Sequence, residues 1–168
     1  GGMYETGAGG SAPKHVKQLL EENHLRWDSL GEFLALAVSL EDLGRKYGNQ
    51  HATALATALD AATGRLLDEN KAPSREAGEL DNRGSQFYLA LYWAQELAKQ
   101  TADPELAARF APVADQLSAN ADTIVEELRK VQGEPVDIGG YYWADPVERE
   151  AVMRPSATFN AVVESVGA

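Results

Sequence analysis

Apolar residues recur at helical spacing along most of this chain, and that periodicity constrains the fold more than any other feature. Phe33, Leu34, Leu36, Leu40 and Leu43 mark a helix over 30–47, ended by Gly48 and Asn49. Leu55, Leu59, Leu66 and Leu67 mark another over 52–69, and Phe87, Leu91, Ala94 and Ala98 a third over 85–100. Asp103 and Pro104 open a further helix with the stripe Leu106, Phe110, Val113 and Leu117. Ile124, Val125, Leu128 and Val131 continue the pattern until Gly133 stops it. A leading helix runs to about Asn23, with Pro13 in its first turn and Ser11 as N-cap, and a short helix over 156–165 follows an aromatic turn, GGYYW. Residues 3–10 read as a short extended segment running into glycine, and Val136 to Ile138 as β. The expected fold class is therefore mainly α, with one or two short strands. Such strands are too few for a sheet. Either they pair with each other, or they edge a sheet whose other strands lie elsewhere.

The length, 168 residues, fits one domain and a real apolar core. We take the domain as 3–168 and read Gly1 and Gly2, ahead of Met3, as a cloning remnant. Cysteine is absent, which removes disulfides and thiolate metal sites and accords with a cytoplasmic setting. No run is apolar enough for a membrane span, and no signal-peptide pattern opens the chain. The net charge of -11 argues against nucleic acid or an anionic membrane as partner. It also gives interest to any place where cationic groups gather.

Such a place is GAGGSAPKH, Gly7 to His15. Glycines let consecutive backbone N–H groups turn toward one anion, and the helix that follows adds its positive end. The string is neither GxGxxG nor GxxxxGK[ST], and it fits a plain glycine-rich turn equally well. Arg26, in LRWD, and Arg75, in the polar stretch 70–84, have the planar fork that suits a phosphate monoester; as isolated residues they also read as solvated surface charges. Asp81, Asn82 and Arg83 read as an Asx turn capping the next helix. Trp27, Tyr88, Tyr92, Trp93 and Trp143 read as core or interface residues, and His24 and His51 stand without metal-ligand companions. No acid/base carboxylate pair or nucleophile triad stands out.

Five separated segments together, ETGAGGSAPKH, LRWDSLGEFLALA, ELDNRGSQFYLALYWA, PVDIGGYY and MRPSATFNA, resemble in order the carboxy-terminal region of monomeric NADP-dependent isocitrate dehydrogenases. The resemblance runs from Tyr4 to about Val166. It implies that the chain is the helical part of an α/β coenzyme-binding domain in a much longer enzyme, whose active site lies in a cleft beneath a separate large domain. It implies NADP as coenzyme. Gly10, Ser11 and Ala12 match the loop approaching the adenosine phosphates. His15, Arg26 and Arg75 match the positions holding the 2′-phosphate, and Asp28 matches a polar contact to the adenosine. The family's isocitrate-binding groups, its acid/base lysine and tyrosine, and its aspartates for Mg²⁺ or Mn²⁺ come from earlier segments. They have no counterpart here, so this chain alone is expected to bind coenzyme and not to turn over isocitrate. A naturally short nucleotide-binding or interaction module is the alternative. Missing partner segments would leave apolar surface exposed, and self-association is the expected consequence.

Overall fold

The structure, a computed structural model, describes residues 11–140 and 142–167, with the backbone alone for 11–13. Among these residues all regular structure is helical: α1 (Ser11–Glu21), α2 (Leu30–Tyr47), α3 (Gln50–Asp68), α4 (Asn82–Lys99), α5 (Pro104–Ala119), α6 (Ala121–Lys130), α7 (Pro146–Met153) and α8 (Ala157–Val166). Helices α2 to α5 pack in chain order, each on the next, and α6 and α8 close over α4 and α5.

The helix ends are set by local chemistry. Gly48 ends α2 in the left-handed region (φ 61), and Asn49 then caps α3, its side chain accepting from Ala52 N–H. Asn70 (φ 54) ends α3 with Lys71 N–H bonded to Leu66 O at 2.9 Å and Asn70 N–H to Leu67 O at 3.0 Å, a Schellman pattern with asparagine in glycine's usual place. Asp81, Asp103, Asp145 and Ser156 cap α4, α5, α7 and α8 through their side-chain oxygens.

Two apolar cores result. The larger gathers Leu59, Leu66, Phe87, Tyr92, Leu117 and Ile124 from α3 to α6, with Val162 of α8. The smaller joins Leu19 of α1, Leu25, Ile138 and Val152 of α7. Arg83, in the first turn of α4, bridges them. Its side chain is 2% exposed and pairs with Asp81 at 2.6 Å. It also donates to the Asn23 side chain and carbonyl and to the Val152 carbonyl. The capping role expected of Asp81 is present, since its carboxylate accepts from Arg83 N–H and Gly84 N–H.

The structure departs from expectation in three places. Val136 to Ile138 has no regular structure and forms no strand among the described residues: Val136 N–H bonds to Leu19 O near the end of α1, and the Ile138 carbonyl accepts from Asp145 N–H. Its apolar character serves burial of Ile138, not sheet pairing. Helix α4 begins at Asn82, three residues before the expected start, because Asp81 is already a cap. Helix α7 was not anticipated, although Asp145 followed by Pro146 is a cap-and-first-turn signal. Of the aromatic residues read as core or interface, Tyr92 is buried whereas Trp143 is 91% exposed.

Candidate functional site

The site is assembled where α1 ends, where the 22–29 linker crosses α4, and where the 70–81 segment returns toward α4. Asn23 (φ 48) turns the chain out of α1. Leu25, fully buried, anchors the linker, with its N–H directed to the Asp81 carboxylate at 3.3 Å and its carbonyl accepting from Asn82 N–H at 2.7 Å. Asn82 Nδ2 donates to the Trp27 carbonyl at 2.6 Å. The linker is thus laced to the start of α4, and Arg26 and Trp27 project from that lacing.

Arg26 and Arg75 are brought together. Arg26 Nε donates to the Arg75 carbonyl at 2.7 Å. The same guanidinium pairs with the Glu22 carboxylate. That bond holds the Glu22 carboxyl below the usual carboxylate range and strengthens Arg26 as a base, with Glu76 and Glu21 adding to the field. The Arg75 side chain is exposed.

His15 lies in the second turn of α1. Its ring meets Trp27 edge-on with centroids 5.6 Å apart, and Trp27 adjoins Arg26. His15 Nε2 is buried and has no hydrogen-bond partner among the described residues. Burial lowers the imidazole pKa, and the nearby Asp81 charge works against that shift. Near neutral pH the ring is therefore a neutral donor or acceptor with one nitrogen unused.

Asp28 is exposed, and its Oδ1 accepts from Leu30 N–H at 2.9 Å, at the start of α2. No bond joins it to His15, Arg26 or Arg75 among the described residues. Ser11 and Ala12 form the first residues of α1, so the helix already includes the expected N-cap serine. Gly10 and the glycines before it lie outside the described residues.

One residue dismissed on sequence grounds, His24, belongs to this surrounding. His24 is fully buried between Gln132 Oε1, 2.7 Å from Nδ1, and the Ser74 carbonyl, 2.9 Å from Nε2. The sequence reading gave it no companions at metal-ligand spacing; no cluster of three or more His, Asp or Glu that could hold a metal occurs among the described residues. What that reading missed is a bond across 108 positions, which no local pattern announces. His51, the other lone histidine, pairs instead with the α5 cap Asp103.

Fold and site together define a class: among the described residues, a helical unit in which Arg26 bonds to the Arg75 backbone and His15 packs on Trp27. Comparison with known proteins supplies the family. The model of monomeric isocitrate dehydrogenase matches residues 1–164, and the chain belongs to that family. It is 70% identical over 166 residues to isocitrate dehydrogenase [NADP] 2 of Mycobacterium tuberculosis, covering 99% of this chain and 22% of that protein. It is 62% identical to isocitrate dehydrogenase [NADP] of Azotobacter vinelandii over 163 residues, 97% of this chain and 22% of the relative. It is 60% identical to isocitrate dehydrogenase [NADP] 2 of Colwellia maris over 166 residues, 99% and 22% respectively. The chain thus spans about a fifth of the length of these relatives. No helix among the described residues is long and apolar enough to cross a membrane.

Proposed function

We propose that this chain is the carboxy-terminal coenzyme-binding portion of an NADP-dependent isocitrate dehydrogenase and that its Arg26–Arg75 edge receives the coenzyme's 2′-phosphate. The observation that carries the reading is the 2.7 Å bond from Arg26 Nε to the Arg75 carbonyl, which ties the backbone of Arg75 to a residue 49 positions earlier. The buried, unused nitrogen of His15 beside Trp27 supports it, since it is a polar group awaiting a partner. A phosphate monoester would meet charge-assisted donors there, each contributing on the order of 1.5–3 kcal/mol. NAD, lacking that phosphate, would leave the donors unpaired. Gly10, Ser11 and Ala12, ahead of and opening α1, would approach the coenzyme's other phosphates at the helix N-terminus, and Asp28 would face the adenosine.

The full-length parent would oxidise the alcohol carbon of isocitrate by hydride transfer to NADP+ with loss of the hydroxyl proton, then release CO₂, the carbon left behind taking up a proton to give 2-oxoglutarate. It would do so with Mg²⁺ or Mn²⁺ held by segments outside this chain. This chain's share of that chemistry is binding and orienting the coenzyme, and by itself it would not turn over isocitrate.

Calorimetry with NADP and NAD tests the reading. NADP should bind tighter, and Arg26→Ala should reduce the preference by about tenfold or more. Equal affinity for the two coenzymes would contradict it, as would a larger loss of preference from Asp28→Ala than from Arg26→Ala.

A further inference from the structure

Arg75 stands on the 70–81 segment, which has no helix of its own, and its side chain is exposed. Where its guanidinium can reach depends on what fastens the backbone beneath it. The segment closes on itself through Ser74 N–H to Leu80 O at 2.6 Å. Ser74 Oγ also donates to Glu79, Glu76 N–H to Ser74 Oγ and Glu79 N–H to Glu76 O. The hydrogen bonds that residues 74–79 receive from outside the segment come from two places distant in sequence. From the linker, Arg26 holds the Arg75 carbonyl and His24 Nε2 lies 2.9 Å from the Ser74 carbonyl, one residue earlier. From the turn after α6, Gln132 holds the far limb: its Oε1 accepts from Gly78 N–H at 2.7 Å, and its Nε2 donates to the Glu79 carbonyl at 2.9 Å. The same Oε1 lies 2.7 Å from His24 Nδ1, so the two side chains form one clamp. The clamp is itself seated, since Gly133 N–H bonds to Glu22 O at 2.8 Å and Asn23 Nδ2 to Val131 O at 2.9 Å. Glu22 is also the residue that pairs with Arg26.

We propose that His24 and Gln132 are positioning residues for Arg75, and through it determinants of coenzyme choice, although neither touches the ligand. The inference rests on the 2′-phosphate reading above. Three features separate it from general stabilisation. The Gln132 side chain belongs to neither apolar core. Its bonds run to His24 and to the backbone of the Arg75 segment. The segment's two limbs, Ser74 and Gly78–Glu79, are each gripped on the side facing the linker that carries Arg26. Loss of the clamp would leave the Arg26 bond as the hydrogen bond that residues 74–79 receive from outside the segment, and a guanidinium on a loosened loop gives up entropy on binding that a fixed one does not.

The test is the NADP-to-NAD affinity ratio of this chain in three variants, with thermal melting alongside. Arg75→Ala reports on the underlying reading, Gln132→Met removes the clamp with a side chain of similar size, and Gln132→Glu keeps the oxygen that faces Gly78 N–H and His24. We expect Arg75→Ala to lose most of the ratio, Gln132→Met to lower it about tenfold with NAD affinity little changed, and Gln132→Glu to fall between Gln132→Met and the wild type. If Arg75→Ala loses the ratio while Gln132→Met keeps it, the positioning role is wrong and the 2′-phosphate reading stands. Equal weakening of both coenzymes by Gln132→Met, in step with a lower melting point, likewise overturns it in favour of a purely structural role. If Arg75→Ala leaves the ratio unchanged, the reading fails and takes this inference with it. Should Gln132→Met not fold, Gln132→Glu decides: a ratio below wild type supports the clamp, and a wild-type ratio refutes it.

Discussion

His15 is the residue whose chemistry depends most on its surroundings. Its imidazole is drawn out of water beside Trp27, burial lowers its pKa below the ordinary value, and Asp81 compensates only in part. The sign of the consequence follows. The unfolded chain takes up the proton first as pH falls, so the contribution of neutral His15 to stability is complete above about pH 6.5 and is lost as pH drops toward the lowered folded value. The melting temperature of wild type should therefore fall more steeply below pH 6.5 than that of His15→Gln; parallel curves would refute the burial argument. Residue types in this corner were legible from the sequence: an imidazole after a glycine-rich turn and two arginines apt for phosphate. The bond from Arg26 to the Arg75 carbonyl was not, because α2 and α3 lie between the two residues in the chain and Arg75 stands on a segment of no regular pattern. The Glu22 carboxylate on Arg26 also went unread, although its i, i+4 spacing is the kind that helical pairs use.

Helix α4 shows how one turn can join two cores. Asp81 caps the helix and neutralises Arg83, whose guanidinium reaches Asn23 of the linker and the Val152 carbonyl of α7. Asp81→Ala should leave a buried guanidinium without its carboxylate, remove the cap and release Leu25 N–H. We expect a loss of about 3–5 kcal/mol, measured by denaturant unfolding. A loss under about 1 kcal/mol would mean that water replaces the carboxylate and that the bridge does not couple the cores. Cap residues were readable in advance at Asp81 and Asp103, because their side chains act within three residues of where they stand, whereas Asn49, read as ending α2, caps α3. The face of α2 was read less well. The leucine stripe expected to point inward is partly outward: Phe33 and Leu40 pack on the larger core, while Leu34 and Leu43 are 43% and 41% exposed. The residues of α2 that are buried are Ala37 and Gly44. A Cβ on Gly44 would overlap the Thr53 hydroxyl and lie 3.1 Å from Thr53 N, so close approach to α3 sets the inward face and size does not.

At the scale of the molecule, that outward apolar surface is notable. Val38 and Tyr47 of α2 are 65% and 77% exposed, in a chain that spans about a fifth of its relatives. In a longer parent other segments would cover this surface; alone, it should drive association that grows with concentration. Light scattering checks this, and a monodisperse monomer at all concentrations would count against it. A mainly helical fold was legible as a whole because helical periodicity is local and repeated, whereas the division into two cores depends on contacts of α1 and α7 that are distant in sequence. The central claim, that one corner of this helical unit recognises a phosphate monoester on adenosine, is tested most directly by amide NMR of the chain titrated with adenosine 2′-monophosphate and, separately, adenosine 5′-monophosphate. The account predicts that the 2′ isomer shifts the amides around His15, Arg26 and Arg75 and that Arg26→Ala abolishes those shifts. Shifts centred elsewhere, or the same response to both isomers at that corner, would contradict it.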